Sequence, residues 1–139
     1  MNFLKKLFGS VEVTPEEEKK NQQAKDFDVL KYDGVAALKQ NAPDYAIKCF
    51  THALELRDDG ETRDYLVQAL IRTNNLTAAY KQLELLARLE PNNKRVWLCM
   101  ADVAYMMEDY QAMTDACEKA NEIDSEDVYV NYTHAKACI

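Results

Sequence analysis

The sequence predicts an all-α chain built from a repeating helix pair, and three observations predict it. Its 139 residues include only three glycines and three prolines against plentiful Ala, Leu, Glu and Lys, a composition that favours helix nearly throughout. Lys94 to Ile123 carries apolar or small residues at Trp97, Met100, Ala101 and Ala104, then at Tyr110, Met113, Cys117 and Ala120. Those spacings gather each set on one helical face. The same pattern returns along the chain at about 34 residues, the period of helix-turn-helix solenoids. β-branched alternation is confined to Val11-Glu12-Val13.

The Lys94–Ile123 stretch reads as two short helices joined by a tight turn at Glu108-Asp109. Small inner residues let the axes approach, with Trp97 and Tyr110 expected to fill the ends. Such a pair has two apolar sides and needs a neighbour on each. One period back, its first-helix set falls on Arg63, Leu66, Val67 and Leu70, and another step reaches Leu30, Asp33, Gly34 and Ala37. One period forward lie Asn131, His134, Ala135 and Cys138. The second-helix set repeats as Ala79, Leu83 and Leu86, and as Ala46, Phe50 and Ala53.

Taken in order, residues 1–8 place Phe3, Leu4, Leu7 and Phe8 on one helical face with Lys5 and Lys6 on the other, and Gly9-Ser10 ends the segment. The expectation is a poorly ordered tail or a short helix packed on its own domain, or else an interfacial or partner-docking anchor that would touch membrane weakly. Residues 9–13 are a linker. Thr14-Pro15-Glu16-Glu17 is a helix start with the pattern of a capping box, opening a helix over 15–40 or one broken near Asp26. A Glu16–Lys20 pair suits its first turns. Further helices are expected near 43–57, 61–73, 76–89, 94–107, 110–123 and 126–138. Pro43 suits a first turn, and Asn75 and Ser125 suit caps.

With Ala46-Ile47, Phe50 and Ala53-Leu54-Glu55-Leu56 on a second helix, Trp97 on a first helix, Gly34 and Ala101 at the small position and Pro91 between repeats, the chain resembles the tetratricopeptide repeat family. Arg63 at the bulky position, Asp33 beside the glycine, Val67 at the small position, and Asp58 and Ser125 in place of proline depart from its pattern. The resemblance runs from about Phe27 to the end. It implies a right-handed α-solenoid of about three repeats (27–59, 60–93 and 94–127) plus a C-terminal capping helix over 128–139. The domain would occupy 14–139, preceded by the segment and linker of 1–13.

The net charge of −7 argues against nucleic acid, which needs a clustered basic surface. No apolar run approaches a membrane span, and the first residues lack a secretory signal. Cys49, Cys99, Cys117 and Cys138 are widely spaced within helices, which fits free thiols in a reducing cytoplasm. His52 and His134 have no second ligand at metal spacing, no glycine-rich phosphate loop occurs, and Asp58-Asp59-Gly60-Glu61 reads as a turn between repeats. The expectation is therefore a non-enzymatic protein without cofactor or metal.

The resemblance further implies a concave groove lined by the first helix of each pair, on the side away from the second. Here it maps to Lys31, Val35 and Leu38, then Asp64, Gln68 and Ile71, then Leu98, Asp102 and Tyr105, and finally Tyr132 and Lys136. Relatives that grip a carboxylate use a Lys and an Asn on the first helix. Only Lys31 matches, Val35 replaces the asparagine, and Asp64 and Asp102 would repel the ligand. The expected function is an adaptor or scaffold holding a peptide or partner helix by apolar anchors. The alternatives are a self-assembling subunit and a membrane-peripheral assembly factor tethered by residues 1–8. The apolar residues Val128, Tyr129, Val130, Tyr132, Ala137 and Ile139 point to a homodimer or partner contact through the last helix.

Overall fold

The computed structural model describes residues 13–124, and six α-helices make up its regular structure. They are α1 (Pro15–Lys39), α2 (Pro43–Leu56), α3 (Gly60–Arg72), α4 (Leu76–Leu89), α5 (Lys94–Met106) and α6 (Tyr110–Ile123). Each helix packs chiefly on its neighbours in sequence, and α1 also touches α3, so three helix pairs stack as an all-α solenoid. The expected apolar segment of residues 1–8 and the last helix with Ser125, Tyr132, His134, Lys136 and Cys138 lie outside the described residues.

Local chemistry explains the helix ends. Thr14 Oγ1 accepts from Glu17 N–H while the Glu17 carboxylate accepts from Thr14 N–H, completing the capping box, and Pro15 takes the first turn. α1 then runs unbroken past Asp26. Asp59, Asn93 and Asp109 cap α3, α5 and α6 through their side chains. Asn75 holds the cap position of α4 but makes no capping bond. Its amide instead donates to Thr73 Oγ1 at 2.7 Å.

One turn geometry serves all three pairs. Asn41, Asn74 and Glu108 adopt φ of 57°, 61° and 60°, the left-handed region. The following N–H groups of Ala42, Asn75 and Asp109 donate to the carbonyls of Ala37, Leu70 and Ala104, five residues back. This is the Schellman closure, which satisfies the last carbonyls of a helix and reverses the chain within a few residues. Equivalent turns at equivalent positions repeat one helix-pair unit along the chain, and such repetition is what builds a solenoid.

The second-helix positions read from the sequence are all buried: Ala46, Phe50 and Ala53, then Ala79, Leu83 and Leu86, then Met113, Cys117 and Ala120. On the first helices, Leu66, Val67 and Leu70 and Met100, Ala101 and Ala104 are buried as well. Thr62, Ala69, Val96 and Val103 also lie in the core, on the opposite flank of their helices. A single helical stripe misses them because a solenoid's first helix is covered both by its partner and by the preceding pair. Tyr110 departs from expectation: it begins α6, stays 54% exposed and meets Tyr105 edge-on at 6.3 Å between ring centres.

Arg63 shows how the bulky position is filled without an aromatic ring. Its guanidinium donates to Gln82 Oε1 and Asp58 Oδ1, both at 2.6 Å, and leaves its buried Nε without a partner. Trp97, one repeat on, sends its indole N–H to the Pro91 carbonyl at 2.9 Å. Both side chains thus tie a first helix to the turn preceding it.

Candidate functional site: the face of the first helices

α1, α3 and α5 lie side by side, and polar bridges fix their spacing. Lys31 of α1 reaches Asp59 Oδ2 and Glu61 Oε1 at the start of α3, each at 3.0 Å. At the other end of the same helices Arg72 donates to the Leu38 carbonyl at 3.0 Å. Between α3 and α5, Arg95 meets Asp64 at 2.8 Å, and Gln68 holds the same carboxylate at 3.3 Å.

These contacts change the meaning of the charged residues. Burial alone would raise the Asp59 pKa, but hydrogen bonds from Thr62 and Lys31 hold the carboxyl below its usual value. Burial alone would likewise lower Lys31, and its bonds to Glu61 and Asp59 overcome that and raise it. Lys31 is therefore a strut between the first two pairs, with its charge already neutralised. Asp64 is likewise engaged by Arg95 across the next gap.

The apolar members are placed differently. Val35, Ile71 and Leu98 are half-buried on the face, and Tyr105 is 42% exposed at the end of α5. Leu38, at 7% exposure, belongs to the core and offers the face mainly its backbone. Gln68 is exposed and Asp102 half-buried. Tyr132 and Lys136 lie outside the described residues, and the rest of the set is distributed over α1, α3 and α5.

Several residues on the face lie outside the sequence-derived set. Arg95 is one turn before Leu98 on the same stripe, and continuing that stripe backwards by three residues finds it. Met106 is exposed beside Tyr105. Cys99 is half-buried next to Asp64 and Arg95. Burial pushes its thiol pKa up, Arg95 opposes this, and Asp64 and Asp102 reinforce it, which favours the protonated thiol.

Among the described residues no cluster of His, Cys, Asp and Glu could hold a metal ion, and no helix is long and apolar enough to cross a membrane. His52 sits exposed on α2, away from this face. Cys49 and Cys99 are free thiols.

Three stacked helix pairs with equivalent reversing turns define a tetratricopeptide-repeat fold. Solved structures agree. The chain is similar to the Sgt2 tetratricopeptide domain from Aspergillus fumigatus, at 21% identity over 90% of this chain and 78% of that one, with a TM-score of 0.68. It is similar to the Arabidopsis OM64 tetratricopeptide domain at 14% identity over 84% and 97%, with a TM-score of 0.71. It is also similar to the first tetratricopeptide domain of Spaghetti (RPAP3), bound to the HSP90 peptide SRMEEVD, at 16% identity over 82% and 91%, with a TM-score of 0.71. No protein-family model and no curated protein matches the chain.

Proposed function

We propose that the chain is a non-enzymatic interaction module that holds a peptide or partner helix on the face of α1, α3 and α5. The observation that carries this reading is the division of labour on that face. Lys31 and Asp64 are consumed in bridges between helices, while Val35, Ile71, Leu98 and Tyr105 on those helices stay partly open. An apolar strip on a rigid, cross-braced scaffold suits anchors that bury large side chains.

The same division disfavours an acidic peptide ending in a carboxylate, such as the one bound to RPAP3. Lys31 is shared by two carboxylates, Arg95 is held by Asp64, and Val35 offers no hydrogen bond. The fitting ligand is an extended or helical segment with one or two large apolar side chains beside a basic residue. Its cation would be drawn to the acidic side of the face, where Asp64 and Asp102 stand.

The test is selection from a random peptide library on the intact chain, with a Tyr105→Ala variant as counter-selection. Enriched peptides should share large apolar positions and lack a requirement for a free acidic C-terminus. Enrichment of carboxy-terminal acidic peptides, or of peptides that bind the variant equally, contradicts the reading.

A further inference from the structure

The second helices α4 and α6 flank a notch of about 280 Å³, lined by half-buried Tyr80 and Trp97 and by buried Met100 and Ala116. Asp115, Glu118 and Glu122 line it as well, against one cation, Lys119, which lies 3.7 Å from Glu122. Burial, and then the charges of Glu84, Asp109 and Asp115, push the Tyr80 phenol above its usual pKa, so the field on this side of the notch is negative.

One repeat earlier, the equivalent positions are filled differently. Arg63 stands in the place of Trp97, and Gln82 in the place of Ala116. The Arg63 guanidinium donates to Gln82 and Asp58, and its side chain is only 13% exposed. The chain itself thus supplies a guanidinium there. In the later repeat Trp97 turns its indole N–H to the Pro91 carbonyl, and Ala116 has no polar group to meet it. The charges are exchanged too: Lys81 and Arg88 hold the positions of Asp115 and Glu122. The later notch therefore joins an aromatic wall to carboxylates where the earlier repeat carries cations.

We propose that this notch receives an arginine side chain from a basic segment of a partner protein. Each part of that side chain has a counterpart. The aliphatic stem covers Met100 and Ala116, as long cationic side chains do on apolar surface. The planar head stacks on Trp97, the ring type that attracts cations most strongly. Its N–H groups are taken up by the carboxylates of Asp115, Glu118 and Glu122, which accept a guanidinium in paired, charge-assisted bonds. An acidic segment would be repelled by the same three groups. This contact is distinct from the strip of Val35, Ile71, Leu98 and Tyr105, so it goes beyond the binding proposed for the first-helix face.

The chain has one tryptophan, so its fluorescence reports on the notch directly. The probes are acetylated, amidated peptides with a central arginine between randomised positions, screened on the full chain for a shift in Trp97 emission. A selected peptide is then compared with its copy carrying citrulline, a neutral isostere, in place of that arginine. The arginine peptide should bind more tightly by about tenfold. Asp115→Asn combined with Glu122→Gln, both at exposed positions, should weaken the arginine peptide by about tenfold, leave the citrulline copy nearly unchanged and keep the circular dichroism of the parent. Tyr105→Ala should leave the binding of both peptides unchanged. The proposal is overturned if no peptide of the pool shifts the emission or if the citrulline copy binds equally well. It is also overturned if Tyr105→Ala abolishes binding while the carboxylate variant does not, which would assign the peptide to the first-helix face.

Discussion

Gly34 lies against the ring of Phe50 so closely that a Cβ placed on it would stand 2.7 Å from Cδ1 and 2.8 Å from Cζ. The equivalent couples are Val67 with Leu83 and Ala101 with Cys117, and all are buried. The largest second-helix residue thus faces the smallest first-helix one. Gly34→Ala gains about 1 kcal/mol of helix propensity at an open site, but overpacking a tight core costs about 1–3 kcal/mol. The expected result is net destabilisation in urea unfolding, partly recovered by adding Phe50→Leu. A stabilised Gly34→Ala would show that the contact is loose.

Glu108 holds the left-handed turn position that asparagine fills at Asn41 and Asn74. A residue with a Cβ costs about 1 kcal/mol there, and glycine removes the penalty. Glu108→Gly is expected to raise the melting temperature by a few degrees, read by circular dichroism. The same exchange at Ala101, buried inside α5, should lower it.

The Asp59 carboxylate both caps α3 and receives Lys31. Because its folded pKa lies below the unfolded value, its stabilisation is complete above about pH 4 and is lost as pH falls through the folded pKa. Asp59→Ala should cost about 1 kcal/mol from the cap near neutral pH. Unfolding curves of the two proteins should draw together as pH falls below about 4. A gap that stays constant down to pH 2 would mean that the carboxylate charge contributes nothing.

Much of the fold is legible in the sequence because a solenoid repeats its local rules. Sliding the chain by one period locates α4 and α6 at the bounds observed, and the Thr14 capping box reads directly from Thr-Pro-Glu-Glu. What escapes is set by pairings across repeats. Nothing near Lys31 announces that Asp59 and Glu61 will claim it, nor near Arg63 that Gln82 on α4 will receive it. Leu38 follows the groove stripe by spacing, yet the close approach of α1 and α3 seen in the Arg72 bond draws it into the core. Val96 and Val103 were off the stripe and are buried for the converse reason, since their flank meets α4.

The bridges on the first-helix face also predict what charge removal does. Arg95→Met should take the cation from Asp64 while Gln68 keeps its hydrogen bond to the carboxylate, and cost less than about 1 kcal/mol, because exposed ion pairs contribute little. It should not create affinity for SRMEEVD, since it removes a cation. Fluorescence anisotropy with the labelled peptide checks this, and micromolar binding by the parent or the variant would contradict the apolar account of the face.

The central claim, that apolar anchors dominate recognition on α1, α3 and α5, is tested most directly by titrating one library-selected peptide into the parent, Tyr105→Ala and Asp64→Ala proteins by calorimetry. Loss of a central aromatic contact costs on the order of 2 kcal/mol, roughly thirtyfold in Kd, whereas a rim charge chiefly affects encounter and register. The account predicts a loss of about thirtyfold for Tyr105→Ala, a much smaller change for Asp64→Ala and a moderate salt dependence. A Kd that is insensitive to Tyr105→Ala but collapses with Asp64→Ala would show recognition to be electrostatic, and would contradict it.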